Sequence, residues 1–162
     1  MLGRSISDPL GTECEGSTEG LGLLDVETVL ETEKTRSIFE GQITDPSGIL
    51  TGIKGTHVKG YEIHTGKTRC LGRLNEFTSK DTGYCSGNVY GTYVHGLFDT
   101  KECAAAVISA VAGKNNKHVD VSGLRDRQDH LEEQFDLLAD IIRANLDMKM
   151  IYETVFPRGV GR

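Results

Sequence analysis

One junction constrains this chain more than any other. The β-branched and aromatic run Val89–His95 passes through Gly96 into Asp99-Thr100-Lys101-Glu102. The first composition favours a strand, and an acidic residue followed three positions later by glutamate marks a helix start. Asp99 is therefore predicted as the N-cap of a helix over Lys101–Ala112, with Gly113 ending it. A strand that hands over to a helix through glycine places His95 at the rim of a sheet, where a reacting group can reach it.

The fold class that follows is α/β, with strands in the first two thirds and two main helices at the C-terminus. Leu21–Val29 and Ser37–Ile43 alternate as strands. Val58–His64 and Lys67–Leu71 read as two strands meeting around Thr65-Gly66. Met1–Ile6 reads as the tail of a helix stopped by glycine, and Thr12–Gly20 as a polar loop. The helix after Asp99 is apolar on nearly all sides and is predicted to be buried. A second helix runs from about Arg125 to Asp147, with Leu131, Phe135, Leu138, Ile142 and Leu146 as its buried stripe. A short helical turn over Lys149–Val155 follows. Residues 1–155 are expected to form one incomplete domain and 156–162 a tail, because an open α/β sheet alternates its elements more evenly than this.

Composition narrows the function. A net charge of −6 with no basic run disfavours a nucleic-acid surface. The longest apolar run, Ala104–Ala112, is too short to span a bilayer, and charged residues near Met1 argue against a signal peptide. No membrane partner and a cytoplasmic location are expected. The four cysteines, Cys14, Cys70, Cys85 and Cys103, show no CxxC spacing, so neither a zinc site nor a redox pair is expected.

Four residues stand out as site candidates. His95 suits general acid–base work because imidazole titrates near cellular pH; the alternative is a histidine bonded to loop backbone. In Gly60-Tyr61-Glu62-Ile63-His64-Thr65-Gly66, Tyr61 and Ile63 share one strand face and Glu62 and His64 the other. Either Glu62 orients His64 in a polar site, or the two form a polar pair on a wet face. His57, His118 and His130 read as surface residues. Gly83-Tyr84-Cys85-Ser86-Gly87 matches a nucleophile elbow as text, but such an elbow needs a buried strand before it and a helix after it. Here a polar stretch precedes and a strand follows, so a hairpin is predicted.

Several segments together resemble the glutaminase part of the cobyric acid synthase family. They are Met1-Leu2-Gly3, Gly20–Thr28, Gly60–Gly66 with Thr68, and Gly91–Asp99, joined by Phe135-Asp136, Leu138-Ala139 and Leu146-Asp147-Met148. The resemblance covers nearly the whole chain. It implies a partial flavodoxin-like sandwich of the class I glutamine amidotransferase type. It also implies a cysteine–histidine pair with the histidine at His95, and glutamine as substrate. Leu97 stands where ordinary class I enzymes carry a glutamate, in keeping with this branch. The family's cysteine lies in a Cys-Gly-Gly-aromatic-Gln-Met-Leu-Gly elbow, so the nucleophile is expected about five residues before Met1. The synthetase domain, which would use ATP and magnesium to amidate corrinoid carboxylates, is expected outside this chain, since no GxxxxGK[ST] occurs in it. The isolated chain is then expected to be inactive and poorly soluble. Two other readings stay open: a stand-alone cysteine hydrolase using Cys85 and His95, and a non-catalytic module docking on a synthetase subunit.

Overall fold

A computed structural model describes residues 1–13 and 15–156, so Cys14 and the predicted tail beyond Phe156 lie outside the described residues. Two long strands carry the architecture. In chain order they are preceded by β1 (Ser5–Asp8) and β2 (Gly16–Glu19). β3 (Val26–Gln42) then pairs antiparallel with β4 (His57–Cys70) along nearly its whole length. A small antiparallel sheet follows, of β5 (Asn75–Glu76), β6 (Gly83–Ser86) and β7 (Val89–Thr92). The two-residue β8 (Val94–His95) returns to β4, giving a five-stranded sheet in the order β2-β1-β3-β4-β8. Within it β1 runs parallel to β3, and the other pairs are antiparallel.

Each expected pair of strands along β3 and β4 is one strand. Glu31 to Arg36 looks like a loop by charge, yet it is extended and solvent-exposed. The ladder slips there: Leu30 faces Gly66 and Thr35 faces His64, a bulge on β3. Thr65-Gly66 makes no turn. Gly66 serves close packing instead, since a Cβ there would stand 2.7 Å from Thr28 Cγ2 and 3.3 Å from the Tyr93 hydroxyl. The N-terminal expectation also fails, because Ser5–Asp8 is a strand beside β3 rather than a helix tail. Its turn is tied by Asp8, whose carboxylate accepts from the Thr12 and Glu13 N–H groups at 2.9 and 2.7 Å. Part of the expected loop Thr12–Gly20 becomes the exposed strand β2. These strands are too short and polar to show a period of two, and their neighbour imposes the conformation.

The core lies under the inner face of β3 and β4. Phe39, Ile43 and Val58 meet Leu50 and Ile53 of a 3-10 turn over Gly48–Ile53, with Phe77, Cys85 and Val94 from the later strands. Helix α1 (Lys101–Lys114) closes this core with Cys103, Ala106, Val107 and Ala110. Of its residues only Cys103 and Ala112 are fully buried, and Ile108 and Val111 are exposed, against the expectation of burial all round. Thr100, not Asp99, caps it, its Oγ1 accepting from the Cys103 N–H at 3.4 Å. The Glu102 carboxylate turns away from a capping box and accepts from the His57 N–H at 3.4 Å. The helix runs through Gly113 and stops at Asn115.

Residues 1–124 form one compact unit and 125–162 a second. The second holds α2 (Arg127–Asn145) and α3 (Met148–Val155), the latter capped by Asp147 accepting from the Met150 N–H at 3.0 Å. The expected stripe on α2 is not buried: Phe135 is 63% exposed, and no residue of the helix is fully covered. A unit this short has too little surface to enclose a core of its own. Among the described residues no helix is long and apolar enough to cross a membrane.

Candidate functional site

The run Val89–His95 does not stay one strand. Its first four residues belong to the small sheet and its last two to the large one, with Tyr93 in neither. Threonine hydroxyls cause the break. Thr78, buried in the interior, meets Thr92 Oγ1 at 2.9 Å and Thr82 Oγ1 at 2.8 Å. Thr92 Oγ1 then accepts from the Val94 N–H at 3.1 Å, while the Tyr93 N–H donates to the Thr82 carbonyl at 2.8 Å. These bonds replace ladder pairing at the crossing and turn the chain toward β4.

At β4 the register pairs Tyr61 with His95 and Glu62 with Val94. Cross-strand partners share a face, so His95 stands with Tyr61 on the outer side. Their rings are stacked, with centroids 5.1 Å apart and planes 7° apart. Ile38 of β3, 90% exposed, faces Tyr61 from the other side. His95 itself is exposed. β8 comes this close because residue 60 is glycine; a Cβ there would collide with the His95 carbonyl oxygen and lie 2.8 Å from Val94 Cγ1.

Glu62 and His64 lie on the opposite, inner face and are not brought to His95. Glu62 Oε2 is 3.2 Å from His64 Nε2, and His64 Nδ1 is 2.8 Å from the Gly66 carbonyl. The His64 ring stacks on Tyr93 at 3.9 Å and 19°. The Tyr93 hydroxyl meets Thr68 Oγ1 at 2.5 Å, which meets Thr28 Oγ1 at 2.7 Å. Two cavities of about 240 and 250 Å³ flank this network and share Thr28 and Tyr93 in their walls. Tyr93, Thr68 and Thr28 escaped the sequence reading. The signal for Thr68 was its two-residue spacing from Glu62, His64 and Gly66, visible only once β4 is one strand, and no local pattern pointed to Tyr93 or Thr28.

No described cysteine is placed as an open nucleophile beside His95. Cys85 is fully buried on a strand of the β6–β7 hairpin, its thiol 3.6 Å from the Asp45 carbonyl. Strand, turn and strand replace the strand and helix that an elbow requires. Cys103 is buried in the core, and burial, then the Glu102 charge, pushes its thiol up to about 11. Cys70 ends β4, nine residues past Tyr61, about 30 Å away at ~3.3 Å per residue. Among the described residues no group of three or more His, Cys, Asp or Glu could hold a metal ion.

The chain belongs to the CobB/CobQ-like glutamine amidotransferase domain family, whose model matches residues 1–103. It is 37% identical to a cobyric acid synthase of Ruminiclostridium cellulolyticum over 96% of this chain and 32% of that protein. A cobyric acid synthase of a Thermoanaerobacter species is 40% identical over 94% of this chain and 33% of its own length. One from Lachnoclostridium phytofermentans is 34% identical over 94% and 33%. The chain thus spans about a third of the length of these curated relatives.

Proposed function

We propose that this chain contributes the histidine of a glutamine-hydrolysing site in a cobyric acid synthase of cobalamin synthesis, working in the cytoplasm. The observation that carries this reading is the exposed His95 on an edge strand, its ring flat on Tyr61, within the residues 1–103 that match the family. In this reading a cysteine thiolate attacks the side-chain amide carbon of glutamine. The C–N bond breaks as His95 gives a proton to the departing ammonia. Water then attacks the thioester, His95 takes up its proton, and glutamate leaves with the thiolate restored. Ammonia goes on to amidate corrinoid carboxylates.

The cysteine is not supplied by Cys70, Cys85 or Cys103, for the reasons of distance, burial and thiol protonation given above. In this reading the nucleophile is the cysteine of the family's Cys-Gly-Gly elbow, and the ammonia passes to an ATP- and magnesium-dependent synthetase domain. The test compares glutamate release from glutamine by the 162-residue chain with that by the chain translated with its upstream in-frame codons. Activity confined to a longer product containing a Cys-Gly-Gly elbow supports the reading. Activity of the 162-residue chain that disappears in Cys85→Ala would replace it with the stand-alone hydrolase.

A further inference from the structure

We infer that Tyr93, held by His64, Gly66 and Thr68, is the positioning residue that sets where His95 stands. The inference rests on the role just given to His95. After Thr92 the chain leaves the small sheet, and at Val94 it enters the large one, so Tyr93 alone makes the crossing. Its backbone N–H is spent on the Thr82 carbonyl rather than on β4. What ties it to β4 is therefore its side chain.

That tie has three parts. The ring lies on His64, centroids 3.9 Å apart. The hydroxyl joins a chain through Thr68 to Thr28, crossing from β4 to β3. Gly66, between His64 and Thr68 on the same strand face, leaves the space this requires, since a Cβ there would press on both the Tyr93 hydroxyl and Thr28. The surface the ring rests on is itself fixed, because both His64 nitrogens are engaged, by Glu62 and by the Gly66 carbonyl. β8 is only two residues long, and its pairing with β4 covers two register positions. So short a ladder holds an edge weakly by itself. His95 lies two residues beyond Tyr93, and a shift of Tyr93 carries it off the Tyr61 ring. The inner network of Glu62 and His64 thus acts on the outer face through Tyr93, without touching His95.

The experiment reads the His95 imidazole resonances of the longest in-frame protein containing this chain, with its histidines selectively carbon-13 labelled, by carbon–proton NMR. In the wild-type chain the Tyr61 ring moves them upfield, and His118 and His130 serve as internal references. Tyr93→Phe keeps the ring but removes the hydroxyl, and Thr68→Val removes its partner with little change of shape. Each should cut the upfield displacement of His95 by half or more, with the reference resonances unmoved and cooperative melting retained. Thr68→Ser, which keeps a hydroxyl, should restore it. Unchanged His95 resonances in folded Tyr93→Phe and Thr68→Val would overturn the inference. Should Tyr93→Phe fail to fold, the Thr68→Val and Thr68→Ser pair decides alone. Glutamine hydrolysis does not enter this readout. A clamp confirmed here, beside full hydrolysis by a His95→Ala form of the longer protein, would overturn the catalytic reading and not the geometry.

Discussion

Tyr61 and His95 are direct partners across the edge of the sheet, and their rings lie within 7° of parallel. The pairing makes the tyrosine a flat platform for the imidazole, on a face otherwise open to solvent. An aromatic pair of this kind contributes about 0.5–1.5 kcal/mol beyond buried area. Tyr61→Leu is expected to abolish the upfield displacement of the His95 ring protons, while Tyr61→Phe preserves it. Equal spectra for the two variants would show that the rings do not stack in solution.

Gly60→Ala is expected to be harmful out of proportion to one methyl group. The new Cβ would meet the His95 carbonyl, a backbone atom that moves only with its strand. Overpacking of this kind costs about 1–3 kcal/mol. Urea unfolding should register that loss, and amide exchange at His95 should quicken in the folded variant. Wild-type stability with unchanged exchange would contradict the close approach of β8.

Thr92→Val removes an acceptor for the Val94 N–H and a partner for the buried Thr78 hydroxyl. Leaving such groups without partners costs about 1–3 kcal/mol. The expected result is a lower unfolding midpoint and altered amide shifts at Tyr93 and Val94. A near-isosteric exchange without effect would show that the crossing between the sheets does not depend on these hydroxyls.

Cys103 makes a prediction in alkali. Its folded thiol titrates at about 11 against an ordinary 9.0, because burial, aided by Glu102, disfavours the thiolate. The folded state therefore holds this proton more tightly than the unfolded state. The resulting stability is full below about pH 9 and is lost as pH rises toward 11. Thermal melts across that window should fall more steeply for the wild-type chain than for Cys103→Ala. Parallel slopes would contradict a thiol buried in the core.

The strand-to-helix junction and the face shared by Tyr61 and Ile63 are legible in the amino-acid order, because alternation and glycine punctuation are local. What was not legible depends on neighbours. The charged segment Glu31–Lys34 is an extended bulge between the Leu30–Gly66 and Thr35–His64 pairs, and Gly66 is an extended packing residue because Tyr93 lies over it. The split of Val89–His95 is decided by Thr78 and Thr82, earlier in the chain. Thr100 displaces Asp99 as cap, while Glu102 bonds to His57, a choice no local pattern encodes. Among the site candidates, chain parity separated Tyr61 from Glu62 and His64. It did not indicate that Tyr93 would join the second pair.

The central claim is that His95 moves the proton in glutamine hydrolysis. Its most direct test is glutamate release by the longest in-frame protein containing this chain, with His95 intact and as His95→Ala. Loss of general acid–base help of this kind lowers the rate about 10²–10⁴-fold, and a fall of that size is expected with the fold unchanged. Hydrolysis by His95→Ala within a few-fold of the wild-type rate would contradict it.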